Sequence, residues 1–168
     1  MTSILGLDIS SFALHGCLLV PGQPPVLRMQ TLGKATDPLI ERLRLVPRAM
    51  RTICGCRIEG RPTDGKIVNF PACDADWIVI EQPAGKYGLH ALLPILGAIT
   101  ASVPSECQVA WRKASEWRAD LNAKNTKQAG HDAVLRQMIA RREYNEHELD
   151  ALGLVLAWAK ILREQEPT

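Results

Sequence analysis

Acidic side chains occur at three places where a folded chain seldom tolerates them. Asp8 lies in the middle of an apolar segment near the N-terminus, and Glu81 ends a second apolar segment. His147 and Asp150 stand at the start of a long apolar stretch near the C-terminus. A carboxylate removed from water must be paired, hydrogen-bonded or bound to a metal. The three positions together predict one metal-binding cluster assembled by the fold.

The elements that carry these residues favour that interpretation. The twofold periodicity of a strand sends Asp8 to one face, opposite its apolar neighbours. Glu81 lies at the carboxyl end of its strand, which is the edge where α/β sheets build sites. His147 and Asp150 are three residues apart and share one helical face. Each position also has an explanation that involves no metal. Asp8 could cap a local turn, and Glu81 could be an ordinary acid at a strand end. Asp150, with His147, could lie in a first helical turn where an acid stabilises the helix dipole.

The hydrophobic pattern predicts a single domain in which strands precede and then alternate with helices. Strands are predicted at 3–10, 12–20, 26–31, 77–82 and 106–110, the first two joined by a turn at 10–11. Helices are predicted from Pro38 to 53, with Asp37 as N-cap and a kink at Pro47, and at 86–101, 126–141 and 145–164. Residues 54–76 are rich in Gly, Pro and Asp and are predicted to form an inserted loop or small hairpin.

The composition is that of an ordinary globular protein and argues against a disulfide-rich or membrane-spanning one. The chain has 168 residues, 46% of them hydrophobic and 23% charged, which is ordinary for one globular domain. A net charge of +2 gives no indication of nucleic-acid binding from composition alone. Five cysteines, an odd number without a signal peptide before them, suit a reducing compartment, and no apolar run reaches about 18 residues. We therefore expect a cytoplasmic protein with no membrane span.

Three segments of the chain, 5–10, 78–82 and 147–152, resemble those of a known family. They are similar to the first-strand Asp, the strand-end Glu-Gln and the closing Asp-x-x-Asp-Ala-Leu motif of RuvC-like Holliday junction resolvases, which belong to the ribonuclease H-like nuclease superfamily. The resemblance implies an α/β, ribonuclease H-like fold with a central five-stranded mixed β-sheet flanked by α-helices. His147 stands where many members have Asp, and the 54–76 insertion is longer than expected.

The resemblance also implies an activity and its cofactors. We expect a metal-dependent endonuclease of DNA recombination and repair that nicks four-way junctions symmetrically as a homodimer. Such hydrolysis uses two divalent ions about 3.5–4 Å apart. Oxygen ligands suit Mg²⁺ or Mn²⁺, and an imidazole favours Mn²⁺. By resemblance, Asp8 bridges the two ions, Glu81 and Asp150 each hold one side, and His147 completes one shell.

A stretch of cations and aromatics after the fifth strand is the candidate DNA-binding surface. Cations there can neutralise phosphates, and aromatics can stack on unpaired bases. The candidates are Arg112, Lys113, Arg118, Lys124 and Lys127, interleaved with Trp111 and Trp117. Lys113 and Lys127 match family positions best, and Thr126 is a candidate helix cap. Family members often place an aromatic after the Glu-Gln pair, and Tyr87 is the nearest substitute. The alternative is a solvated basic surface with two core tryptophans.

Other interpretations of the chain stay open. The first strand also resembles the phosphate strand of actin-like sugar kinases, although 168 residues are too few for their two lobes. A non-catalytic branched-DNA-binding relative is a further alternative, in which His147 marks decay of the site.

The cysteines do not form a recognisable zinc motif. Cys54, Cys56 and Cys73 could supply three thiol ligands but lack a clear fourth, and Cys17 and Cys107 are expected to be buried. The 86–101 helix is a candidate for the dimer interface or for the core, and we assign no role to the remaining histidines, His15, His90 and His131.

Overall fold

The computed structural model describes residues 2–34, 36–55, 73–83, 89–138 and 143–165. Within them the strands are β1 Ile4–Ile9, β2 Ala13–Leu19, β3 Val26–Thr31, β4 Trp77–Gln82 and β5 Gln108–Lys113. The helices are α1 Leu39–Ile53, α2 Leu89–Ala101, α3 Ala114–Asp120, α4 Lys127–Gln137 and α5 Glu146–Gln165. Tyr87 and most of the predicted 54–76 insertion lie outside the described residues.

The strands form one mixed sheet in the order β3-β2-β1-β4-β5. β2 runs antiparallel to both β1 and β3, whereas β4 runs parallel to both β1 and β5. The predicted five-stranded mixed sheet is thereby confirmed. Because β1, β4 and β5 are parallel, their carboxyl ends lie at the same edge of the sheet. The antiparallel β2 begins at that edge.

Helices cover both faces of the sheet. α1 and α2 pack on one face against Leu5 and Ile78, while α5 packs on the other with α3 and α4, against Ile4 and Val79. Since side chains alternate along a strand, Asp8 and Glu81 face the same side as Ile4 and Val79. Both carboxylates therefore point toward the α5 layer. None of the described helices is both long enough and apolar enough to cross a membrane.

A glycine lets α5 lie directly against the central strand. A Cβ at Gly6 would lie 2.4 Å from the carbonyl oxygen of Ala151 and 2.7 Å from Cγ2 of Val155. Both distances are below those that real Cβ atoms adopt, so a larger residue would push the helix away. Gly6 thus sets the spacing between β1, which carries Asp8, and α5, which carries Asp150.

The region after β4 differs from the prediction. β5 spans 108–113 rather than 106–110, because its parallel pairing with β4 continues until Lys113 faces Gln82. α3 was not predicted at all. It begins where Glu116 accepts a hydrogen bond from the Lys113 amide at 2.9 Å, and it is anchored by the buried Trp117. A helix of seven residues is too short for its periodicity to stand out.

Two helix termini also differ. Asp37 is not the N-cap of α1: its carboxylate accepts from the Lys34 amide at 2.6 Å, and Pro38 occupies the cap position. α4 ends at Gln137, short of the predicted residue 141, and Met138 is already extended. Pro47 lies inside α1, which runs from 39 to 53. The predicted cap of α4 is confirmed, since the Thr126 side chain accepts from the Ala129 amide at 3.3 Å.

Candidate active site

Asp8 is the central acidic residue of the site and is 8% exposed. His147, in the first turn of α5, places Nδ1 at 2.6 Å from Asp8 Oδ2. His15 lies directly across from Asp8 in the β1–β2 register, and its ring stacks on that of His147 with the centroids 4.6 Å apart and the planes 22° from parallel. Two imidazoles from different elements therefore accompany this one carboxylate.

Glu81 is held by the indole of Trp117. Trp117 Nε1 donates to Glu81 Oε2 at 3.2 Å, although the two residues belong to different elements. The indole fits only because two neighbours lack side chains: a Cβ at Gly153 would lie 2.6 Å from the Trp117 ring, and one at Gly130 would lie 2.8 Å from it. Arg118 lies over the same ring at 5.2 Å from its centroid. The packing of α3 against α4 and α5 thus orients the Glu81 carboxylate.

Asp150 is 6% exposed and is held from the α4 side. The buried His131 places Nε2 at 2.9 Å from Asp150 Oδ1. Lys127, one helical turn earlier on α4, has Nζ at 3.7 Å from Asp150 Oδ2 and donates to Glu146 Oε2 at 2.8 Å. An imidazole and an ammonium group on one helix face therefore accompany Asp150.

The carboxyl groups lie close enough to disturb one another's ionisation. Burial raises the pKa of Glu81 to about 7, and the charges of Asp8 and Asp150 add to the effect. Burial also raises the pKa of Asp8, with Asp150 contributing, while the hydrogen bond from His147 opposes the shift. Burial and the neighbouring His147 lower the pKa of His15. The site thus concentrates negative charge where water screens it poorly.

The donor chemistry of this cluster fits a divalent cation. Carboxylate oxygens are the ligands preferred by Mg²⁺ and Mn²⁺, and the crowded acids of Asp8 and Glu81 would be relieved by a positive charge. Within the described parts of the chain, no group of three or more His, Cys, Asp or Glu side chains is arranged as metal ligands. Instead the acids are paired singly, with His147, Trp117 and His131.

The predicted DNA-contacting residues occupy varied environments. Lys113 and Lys124 are exposed, whereas Arg112 is half-buried and forms ion pairs with Asp120 and Glu116, the latter at 3.9 Å. Lys127 lies within the acidic cluster rather than apart from it. Of the two tryptophans interleaved with these cations, Trp111 is 40% exposed and Trp117 is buried. Tyr87 lies outside the described residues. The structure thus leaves exposed cations and one exposed aromatic beside the fifth strand.

Sequence reasoning missed two histidines of the site, His15 and His131. The hairpin register could have indicated His15 only with the turn correctly placed: the observed two-residue turn at 11–12 puts residue 15 opposite Asp8, whereas the predicted turn at 10–11 would have put residue 13 there. His131 is four residues after Lys127 and therefore on the same helix face. That spacing alone does not say which residue the face meets, so the contact with Asp150 needed the tertiary structure.

Comparisons with known proteins agree with this architecture. No protein-family model matches the chain, and no curated protein sequence matches it. Among solved structures, one described as "Thermus thermophilus RuvC structure" is 15% identical with a TM-score of 0.68, covering 96% of this chain and 96% of that chain. Another, "T. thermophilus RuvC in complex with Holliday junction substrate", is 13% identical with a TM-score of 0.69, covering 97% and 96%. The chain therefore has the RuvC form of the ribonuclease H-like fold, as its sequence motifs predict.

Proposed function

We propose that this protein is a metal-dependent DNA endonuclease that nicks four-way junctions. The observation that carries the proposal is the meeting of Asp8, Glu81 and Asp150, from β1, β4 and α5, at one edge of the sheet. The RuvC fold supports it, since a solved RuvC of that fold is described in complex with a Holliday junction substrate. Three mutually repelling acids in one cluster serve no evident packing purpose and are suited to holding cations.

Asp8, Glu81, Asp150 and His147 are the residues that would hold two Mg²⁺ or Mn²⁺ ions. When bound, such ions make a water molecule nucleophilic and stabilise the leaving oxygen of the phosphodiester. His147 accompanies Asp8, so its imidazole is the one nitrogen donor in our assignment. That donor favours Mn²⁺ over Mg²⁺ relative to a site of oxygen ligands only.

The chain's own residues keep the acids in place. Trp117 fixes Glu81 through its indole N–H, and His131 fixes Asp150 through a ring nitrogen. Lys127 adds a positive charge beside Asp150 and, through Glu146, is tied to the first turn of α5. These contacts orient the carboxylates before any substrate arrives, which is the preorganisation that catalysis needs.

We propose that the DNA-binding surface lies beside β5 and in the segment that leads to α4. Lys113 and Lys124 are exposed cations suited to phosphate contacts, with Arg118 half-buried near Glu81. Arg112 is a weaker candidate because Asp120 and Glu116 already neutralise it. The exposed Trp111 offers an aromatic face for an unpaired base.

We further propose that the protein acts as a homodimer. Two nicks placed symmetrically across a four-way junction need two active sites related by a twofold axis. The helix α2 has one side in the core and one side at the surface: Ile99 is fully buried, whereas Leu93 is 56% exposed. The exposed side of α2 therefore remains a candidate for the interface.

A second candidate function is binding of branched DNA without cleavage. One observation favours it: His147 is hydrogen-bonded to Asp8, and Lys127 lies beside Asp150. Both contacts engage acids that metal ions would need. With its acids engaged in this way the site would hold no metal ion, and the protein would bind junctions through its exposed cations without hydrolysing them.

The test is cleavage of a synthetic four-way junction by the purified full-length protein, with linear duplex of the same sequence as control. Each strand is labelled in turn, and reactions contain Mg²⁺, Mn²⁺ or EDTA. We expect paired nicks in opposing strands of the junction, more with Mn²⁺, and none with EDTA or duplex. Tight binding without nicks in either metal would support the second candidate. Cutting in EDTA would overturn the metal dependence.

A further inference from the structure

Three cysteines meet at the edge of the sheet opposite the acidic cluster. Cys54 follows α1, Cys73 precedes β4, and Cys107 immediately precedes β5. They therefore lie near the amino ends of β4 and β5, whereas Glu81 lies at the carboxyl end of β4. A strand of six residues separates the two edges by roughly 16 Å. The thiol cluster is thus independent of the proposed active site.

Backbone contacts hold two of these cysteines side by side. The Asp74 amide donates to the Cys54 carbonyl oxygen at 3.0 Å, and Cys73 Sγ lies 3.7 Å from the same oxygen. Cys107 Sγ donates to the Ala75 carbonyl oxygen at 3.2 Å, and the side chains of Cys54 and Cys107 both act on the ionisation of Cys73. The three cysteine side chains therefore lie close together at this edge of the sheet.

The surroundings of Cys73 favour its ionised form. The hydrogen bond from Cys54, with smaller contributions from the Ala75 backbone and from Cys107, lowers the pKa of the Cys73 thiol to about 6. A group with this pKa is mostly thiolate at neutral pH, and the thiolate is the reactive form of cysteine. Cys73 is also half-buried rather than sealed in the core, unlike the fully buried Cys54. A small oxidant can therefore reach Cys73 first.

We propose that Cys73 is a peroxide-sensitive thiol whose oxidation is resolved by Cys54, giving a disulfide that joins the end of α1 to the segment before β4. A reactive thiolate beside a second thiol is the arrangement of a nucleophile with its resolving partner. Cys54 is the partner because Cys73 Sγ lies 3.7 Å from the Cys54 carbonyl oxygen and because the Asp74–Cys54 backbone contact fixes the position of Cys54.

The two chemical steps balance with hydrogen peroxide as the oxidant. The Cys73 thiolate attacks one peroxide oxygen, so that an S–O bond forms, the O–O bond breaks and hydroxide leaves. This sulfur loses two electrons and becomes a sulfenic acid, while the peroxide is reduced. The Cys54 thiolate then attacks the sulfenic sulfur, an S–S bond forms and the oxygen leaves as water with the proton of Cys54. A dithiol reductant reverses the product by thiol–disulfide exchange.

The first experiment needs no variant. The reduced full-length protein is treated with iodoacetamide from pH 5 to pH 9, and alkylation of each cysteine is followed by mass spectrometry. We expect Cys73 to be alkylated with a midpoint near pH 6, its lowered pKa, while the fully buried Cys17 stays unmodified. A Cys73 midpoint near the ordinary thiol value of about 8.5 would overturn the proposal.

The second experiment identifies the product. The protein is exposed to stoichiometric hydrogen peroxide, quenched with N-ethylmaleimide and digested for peptide mapping. A Cys54–Cys73 disulfide that dithiothreitol removes is expected, both in the wild type and in Cys56→Ser. In Cys54→Ala the oxidation should stop at a Cys73 sulfenic acid, which dimedone traps. A wild-type disulfide from Cys73 to Cys107 or Cys56 would overturn the choice of Cys54. Stoichiometric zinc held by these thiols in the purified protein would overturn the redox proposal itself.

Discussion

At the scale of single residues, each acid of the site is hydrogen-bonded to a side chain from a different element. The pairs are Asp8 with His147, Glu81 with Trp117 and Asp150 with His131. Because each neighbour comes from a different element, a single substitution changes one acid and leaves the others in place. The roles of the acids can therefore be separated by mutation.

Asp8→Asn should abolish cleavage and leave junction binding nearly unchanged. The amide keeps the size of the side chain but removes the charge that a divalent cation needs, while the exposed lysines of the proposed DNA surface are untouched. Gel shift measures binding, and nicking of labelled junction measures cleavage. Retained nicking by the variant would remove Asp8 from the metal-binding assignment.

Glu81→Gln should make the metal-free protein more stable at pH 8 than the wild type, with a smaller difference at pH 5. Burial raises the pKa of Glu81 from the ordinary 4.5 to about 7. The folded state therefore binds its proton more tightly than the unfolded state, and this stabilisation is present below pH 4.5 and lost as the pH rises through about 7. Each pKa unit corresponds to about 1.4 kcal/mol, so up to about 3 kcal/mol is at stake.

Thermal unfolding in EDTA from pH 4 to pH 8 measures this effect. Gln lacks the titration, so the difference in Tm between variant and wild type should grow with pH. Adding Mn²⁺ at pH 8 should restore stability to the wild type more than to the variant. A difference in Tm that is constant across the pH range would contradict the raised pKa.

His15→Leu should slow junction cleavage, whereas His15→Phe should preserve it better. The stacked ring of His15 restrains His147, whose side chain is 47% exposed and is also hydrogen-bonded to Asp8. An aromatic pair contributes about 0.5–1.5 kcal/mol, which corresponds to about two- to tenfold in rate if it all bears on positioning. Rates at saturating metal are compared, with Tm as a control for folding. Equal rates for the Leu variant and the wild type would exclude this role.

At the scale of elements, the distance between β1 and α5 governs the site. Gly6→Ala should destabilise the protein by about 1–3 kcal/mol, the usual cost of overpacking, because the added methyl meets the Ala151 carbonyl oxygen. Cleavage should fall further than stability alone explains, since α5 carries His147 and Asp150 away from Asp8. Urea denaturation and junction cleavage are measured on the same preparation.

Gly97→Ala is the matched control. It lies in α2, and a Cβ there meets nothing within 4 Å. Replacing a helical glycine by alanine should stabilise the protein by up to about 1 kcal/mol. Equal effects of the two substitutions would show that the β1–α5 contact is not specifically tight.

At the scale of the whole molecule, the proposed active site lies on the face of the sheet covered by α3, α4 and α5, whereas α1 and α2 pack on the opposite face. Lys113→Ala should weaken binding of every junction sequence and lower the slope of log affinity against log salt by about one unit. Arg44→Ala is the control, because Arg44 lies on α1, across the sheet, and is paired with Glu41 at 2.8 Å. An unchanged slope for Lys113→Ala would assign that lysine to ordinary solvated surface.

The sequence pattern was sufficient for the order of the five strands and four of the five helices along the chain, and the family resemblance for the mixed sheet, but neither was sufficient for the contacts within the site. The order of strands and helices follows from local hydrophobic periodicity, and the acids stood out because carboxylates are rare in apolar strands. The roles of His15, His131 and Trp117 as partners of the acids could not be predicted, because they depend on which element packs against which across the fold. The short α3 was missed for the same reason: it is stabilised by burial of Trp117 rather than by its own periodicity.

The contact between Asp8 and His147 spans 139 positions along the chain. During synthesis the ribosome releases β1, β2 and β3 early, and these strands pair locally. At roughly 5–20 residues per second, His147 follows Asp8 by roughly 7 to 28 seconds. Until α5 emerges and docks against Gly6, a nascent chain carries Asp8 and Glu81 without Asp150. With the function proposed above, a growing polypeptide holds an incomplete set of acids and should not cut DNA until α5 has been made.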